Sequence, residues 1–148
     1  MPVGVLVVED DPITLELMSD VLTSLGARVR SFADSQRADT VIHQEKFDGI
    51  FLDLAMPKLD GFQLARRIRL SSLNRRTPIM IVTGLTDKQT IEKAFAAGAT
   101  FFLEKPVDRQ KLTRLLESTR GSMLAERRRL RRVPVSIPVT CRLDSRTI

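Results

Sequence analysis

The chain has 148 residues, 43% of them hydrophobic, a net charge of +6, and neither Trp nor Tyr; that suits one domain of usual size, or one with a short appendage. A single cysteine, Cys141, excludes an internal disulfide, and a single histidine, His43, excludes a metal site of the usual His/Cys kind. With no apolar run near about eighteen residues and no signal-type segment at the amino end, a cytoplasmic protein is the expectation. Acids and bases balance over residues 1–119, so the whole positive charge lies in residues 120–148 and the high pI describes the tail alone.

Val5 to Val8 is a β-branched apolar run that stops on Glu9-Asp10-Asp11-Pro12, which predicts a buried strand ending on acids. From Ile13 to Leu25 the apolar positions recur at helical spacing, and Gly26 closes the element. Arg28 to Phe32 reads as a short strand, and Asp34 to His43 as a weaker helix with few apolar anchors. Ile50-Phe51-Leu52, bounded by Gly49 and Pro57, predicts a strand covered on both faces that runs straight into Asp53. Lys58-Leu59-Asp60-Gly61 is a turn before a helix carrying Phe62, Leu64, Ala65, Ile68 and Leu70. Pro78 to Val82 is a fourth strand ending on Thr83-Gly84, and Asp87 opens a helix that closes at Gly98. Thr100 to Leu103 makes a fifth strand leading into Glu104-Lys105-Pro106, followed by a helix from Val107 to Thr119.

Five strands alternating with five helices predict an α/β fold with a parallel sheet wrapped on both faces, and such sheets bind ligands outside the carboxyl ends of their strands. That edge collects Glu9 and Asp10, Asp53, Thr83 and Lys105. Taken alone, Asp53 reads equally well as a turn opener or a helix cap; in this company it joins carboxylates that would repel one another without a cation. Oxygen ligands without His or Cys favour Mg²⁺.

Five separated stretches, Val8-Glu9-Asp10-Asp11, Asp53 with Met56-Pro57, Asp60-Gly61, Val82-Thr83-Gly84 and Lys105-Pro106, together resemble the receiver domain of two-component response regulators over roughly residues 3–119. The resemblance implies a doubly wound, CheY-like five-stranded sheet of order 2-1-3-4-5 in which Asp53 accepts a phosphoryl group from a sensor histidine kinase or phosphotransfer protein. It further implies Asp10 as the direct Mg²⁺ ligand, Glu9 acting through a water, and the backbone carbonyl of Ala55 as a third contact. Such a domain catalyses only its own phosphorylation and dephosphorylation, so it is not an enzyme with a substrate of its own. His43 is a surface residue in this reading and not the phosphodonor.

Phosphoryl transfer needs a placed nucleophile and positive charge around three equatorial oxygens; Asp53, the cation and Lys105 fill those roles. Thr83 is the switch candidate, its hydroxyl free to reach a phosphorylated Asp53. Phe102 matches the family's switch aromatic, although Phe101 competes with it for the inward position. Ala55 and Leu85 offer no polar side chain to orient an attacking water, which implies slow loss of the phosphoryl group. Receivers pair through a face that here spans residues 87–119, so a homodimer is a further expectation of the resemblance.

The tail divides into a basic linker or helix extension, 120–132, and an incomplete output segment, 133–148. Leu112, Leu116, Met123 and Leu130 keep a partial heptad that a coiled coil could use, but Thr119 and Glu126 interrupt it and Gly121 weakens a helix. Val133 to Leu143 alternates like an edge strand between Pro134 and Pro138. Arg128 and Arg132, or Arg127 and Arg131, have the RxxxR spacing that resembles the opening of a PilZ domain. That family binds cyclic di-GMP, and arginine forks suit phosphates. The family's second motif does not occur before Ile148, so nucleotide binding is expected only of a completed domain. The alternatives are a solvated linker and a DNA-contacting tail; the tail lacks a helix-turn-helix pattern and aromatic interleaving, which disfavours DNA.

Overall fold

The computed structural model describes residues 2–131. Arg132 and the whole of 133–148, on which the strand and PilZ readings fall, lie outside the described residues.

Five parallel strands, β1 (Gly4–Val8), β2 (Arg28–Phe32), β3 (Gly49–Leu52), β4 (Ile79–Thr83) and β5 (Phe101–Glu104), form one sheet of order β2-β1-β3-β4-β5. Helices α1 (Pro12–Ser24), α2 (Ser35–Ile42), α3 (Gly61–Leu70), α4 (Lys88–Ala96) and α5 (Arg109–Arg131) alternate with them. This is the flavodoxin-like, doubly wound architecture expected from the alternation of elements.

Because side chains alternate across a strand, each central strand feeds two cores. Leu6, Val8, Ile50, Leu52, Ile79 and Ile81 pack with Ala38 and Ile42 of α2, Leu64, Ala65 and Ile68 of α3, and Ala94 of α4. On the other face Val5, Val7, Phe51, Met80 and Val82 pack with Met18, Val21 and Leu22 of α1 and with Leu112, Leu116 and Met123 of α5. The competition between Phe101 and Phe102 resolves by the same rule: Phe101 packs on the α1 and α5 face and Phe102 on the opposite one, each half-buried because β5 is an edge strand.

Helix starts follow local chemistry. Asp11, Asp34, Asp60 and Asp87 are N-caps whose carboxylates accept from backbone N–H groups of the first turn, and Asp60 with Gln63 closes a capping box. Of the two forms expected for residues 120–132, basic linker or helix extension, α5 takes the second as far as Arg131. It begins at Arg109, with Asp108 accepting from Lys111 N–H at 2.8 Å, and it continues past Thr119 to Arg131 through Gly121. At ~1.5 Å per residue its 23 residues outrun a five-residue strand about twofold. The extension is carried by packing: Met123 is fully buried, worth roughly 1.5–3 kcal/mol, more than the roughly 1 kcal/mol by which Gly disfavours a helix. Leu112, Leu116 and Met123 of the partial heptad pack inside the domain's own core, and Thr119 and Glu126 between them are buried as well; the Leu130 side chain lies outside the described ones.

Candidate functional site

Buried strands that end on polar residues place those residues at the sheet's carboxyl edge without exposing apolar backbone. β1 delivers Glu9, β3 delivers Asp53 and β4 ends in Thr83, all three buried. Carboxylate oxygens of Glu9, Asp10 and Asp53 lie within 4.8 Å of one another. Lys105, just beyond β5, reaches in: its Nζ is 2.7 Å from Glu9 Oε1 and 3.1 Å from Asp53 Oδ2.

Asp53 is oriented from its other side. Leu54 N–H donates to Oδ1 at 2.7 Å and Ala55 N–H at 3.4 Å. Asp11 takes no part in the pocket, since its side chain caps α1 through Thr14, which holds its carboxyl below the usual range. Thr83 is tied to the lysine strand: Lys105 N–H donates to Thr83 O at 2.9 Å, while Thr83 Oγ1 accepts from Leu85 N–H at 3.3 Å.

Burial pushes Glu9 up to about 7, against the opposing pull of Lys105. Although Glu9 Oε1 is near the ammonium, it meets no donor at hydrogen-bonding angle among the described residues. A buried carboxylate oxygen that is ion-paired but makes no well-angled hydrogen bond, beside two other carboxylates, fits a hard divalent cation such as Mg²⁺. For the metal-free protein the raised value has a definite sign. The stability gained from neutral Glu9 is fully present below about 4.5 and is lost as pH rises through about 7. Thermal unfolding in EDTA across that window should therefore show a falling midpoint, and Glu9→Gln should flatten it; equal slopes in both proteins would contradict the assignment.

One contact at this edge had no sequence signal beyond the Asp-Gly turn. Gly61, the first residue of α3, sits against β3's exit, with its N–H donating to Leu54 O at 2.9 Å. A Cβ there would overlap the Asp53 carbonyl oxygen and lie 2.6 Å from Leu54 Cα. The tail arginines are elsewhere. Arg127 bonds to Pro2 O and Asp48, which precede β1 and β3, so Arg128 beside it lies at the sheet's amino edge, opposite Asp53.

The profile of the response regulator receiver domain matches residues 5–117. The chain is 34% identical over 107 residues to Protein RcaC of Microchaete diplosiphon, an alignment covering 72% of the chain and 16% of RcaC. It is 34% identical over 119 residues to hybrid signal transduction histidine kinase L of Dictyostelium discoideum, covering 76% and 7% respectively. The chain thus spans a small part of each of these two relatives. Among solved structures, the receiver domain of sensor histidine kinase PA1611 from Pseudomonas aeruginosa PAO1 is 33% identical, with a TM-score of 0.75 over 82% of this chain and 99% of that one. That domain carries a magnesium ion coordinated in its active-site cleft. Sheet order, acidic cluster and sequence agree: this chain belongs to the response regulator receiver domain family of two-component signalling.

Proposed function

We propose that Asp53 takes a phosphoryl group from a phosphohistidine of a sensor histidine kinase or phosphotransfer protein, and that the modification switches an output through Thr83, Lys105 and Phe102. The observation that carries this reading is a buried aspartate held 3.1 Å from an ammonium, with two further carboxylates in reach of one shared cation. In the transfer, an Asp53 oxygen bonds to phosphorus as the bond to the donor's imidazole nitrogen breaks, and that nitrogen keeps the electron pair. Lys105 faces the oxygens on which charge is spread. Glu9, Asp10, Asp53 and the Ala55 carbonyl would hold Mg²⁺, which when bound would supply the remaining positive charge. Beside the site, Ile13, Leu17 and Val107 line an apolar cavity of about 440 Å³ that suits a donor helix.

The new group adds about −1.5 to −2 charge and three acceptor oxygens. Thr83's hydroxyl proton, which has no acceptor among the described residues, turns toward it. Lys105 follows, and Phe102, three residues upstream on β5, repacks. A shift from 1:99 to 99:1 needs about 5.5 kcal/mol. A charge-assisted bond near 1.5–3 and a hydroxyl bond near 1 kcal/mol supply roughly half to three quarters of that, leaving the rest to the cation or to pairing of copies through the 87–119 face. Phe95 and Leu85 are exposed on or beside that face. Leu85 and Ala55, both exposed, also leave the phosphoryl group without a side chain to orient water, in keeping with slow loss. No described helix is long and apolar enough to cross a membrane; a cytoplasmic location, where a sensor kinase would present its phosphohistidine, is part of the same proposal. A cyclic di-GMP-linked output through Arg128 and Arg132 belongs to the same proposal. It rests on the RxxxR spacing and on the exposure of Arg128.

Two titrations test this. Asp10→Ala should weaken Mg²⁺ binding at least roughly tenfold, since it removes one of the few hard ligands; unchanged affinity would move the metal elsewhere. Beryllofluoride with Mg²⁺ should shift the amide resonances of Thr83 to Thr86 and of Phe102, and silence at those positions would sink the switch.

A further inference from the structure

At the sheet's amino edge, remote from Asp53, α5 does not simply leave the domain. Met123 enters a socket under β3: a Cβ on Gly49 would lie 2.5 Å from Met123 Cε and 2.9 Å from Met80 Cε, so a side chain there would push both methionine ends aside. Three ion pairs, centred on two carboxylates, flank that socket. Lys46 Nζ donates to Glu126 Oε2 at 3.2 Å and to Thr77 Oγ1 at 2.9 Å, and Arg129 closes over Glu126 at 2.9 and 3.1 Å. On the other side Arg127 grips Asp48 with Nε and Nη2, and its Nη2 also donates to Pro2 O. Asp48 in turn accepts from Gly4 N–H at 2.7 Å.

The anchors for this helix are themselves rigid. Thr77 Oγ1 lies 3.1 Å from Phe47 O and 3.0 Å from Asn74 Oδ1, the two acceptors sharing its single proton, while the buried Asn74 amide donates to Ile42 O and Glu45 O and its oxygen accepts from Phe47 N–H. Lys46 therefore joins a fully satisfied polar network in the α2–β3 and α3–β4 connections to the helix. Burial alone would raise Asp48 and Glu126, yet Arg127 on one and Arg129 with Lys46 on the other hold both below the usual carboxylate range. Partly buried pairs of this kind add little net stability, but a misaligned one leaves charges uncompensated, which favours one register of the helix.

We infer that Met123, Glu126 and Arg127 latch the continuation of α5 to Gly49, Lys46 and Asp48, making residues 120–127 part of the receiver's rigid body and fixing the direction in which the chain leaves it. Whatever follows is then carried on a stiff stem and is reoriented with the domain. Arg127 is consumed in the latch and Arg129, although exposed, pairs with Glu126, so Arg128 is an exposed cation that the stem presents.

Hydrogen exchange read by mass spectrometry on the full 148-residue chain, without phosphodonor or metal, tests this independently of the Asp53 chemistry. Amides of 120–127 should be protected to the same order as those of 109–117. Lys46→Glu should speed exchange of 120–127 by roughly tenfold or more while 109–117 and β4 stay protected, and Arg127→Gln, on the helix itself, should do the same. The charge exchange Lys46→Glu with Glu126→Lys should restore protection to within about threefold of the parent. Rapid exchange of 120–127 in the parent chain, unchanged protection in both single variants, or a double variant no better than Lys46→Glu alone would each overturn the latch.

Discussion

Gly61→Ala should lower the stability of the domain by about 1–2 kcal/mol and at the same time cripple its chemistry. An added methyl normally favours a helix position by up to about 1 kcal/mol, so the sign has to be argued. Here the new Cβ meets backbone, the Asp53 carbonyl and Leu54 Cα, and no rotamer can move those atoms aside. Relief requires α3 to draw back or the end of β3 to shift, and overpacking of that kind costs about 1–3 kcal/mol. Both movements loosen the Gly61 N–H bond to Leu54 O and displace the residue whose side chain must be in place for transfer. Misplacement near 1 Å can cost about a hundredfold in rate. Urea unfolding and phosphoryl incorporation, measured on the same preparation, should fall together; a variant as stable as the parent would mean that the contact is looser than described.

Lys105→Ala should separate rate from metal binding. Loss of a positioned donor at the developing charge lowers rates by about 10²–10³-fold, so phosphorylation from a small phosphodonor should slow by that order. Mg²⁺ affinity should hold or rise, because the ammonium that now neutralises Glu9 and Asp53 competes with the cation. Glu9 would lose the partner that opposes its burial and be driven further upward, so the gain in affinity should be confined to pH well above 7. A parallel loss of rate and metal affinity would instead indicate that Lys105 holds the pocket's shape.

The carboxyl-edge site was legible because its signals are local: an apolar run that ends on an acid, a Thr-Gly after a strand, a lysine before a proline. Parallel strands then bring these together by rule, and the observed order β2-β1-β3-β4-β5 is the expected one. The tail was less legible because its structure is set by partners far away in sequence. Gly121 and the arginine run suggest a weak, solvated helix, whereas Met123 finds its place through Gly49 and Arg127 through Asp48, 79 residues earlier. Nor did apolar spacing reveal that Leu112, Leu116 and Met123 face the sheet, since a heptad seam and a core stripe differ only in what covers them. Phe101 and Phe102 posed a false choice, because an edge strand covered on both faces gives each ring its own side.

The central claim, that Asp53 is the phosphoacceptor of a cation-assisted transfer, is tested most directly by intact-mass spectrometry after incubation with acetyl phosphate and Mg²⁺. The account predicts one added phosphoryl group per chain, absent when EDTA replaces Mg²⁺ and absent in Asp53→Asn. That substitution keeps the acceptor oxygen for Leu54 N–H and so preserves the fold. Equal incorporation in parent and Asp53→Asn proteins, or incorporation indifferent to Mg²⁺, would contradict it.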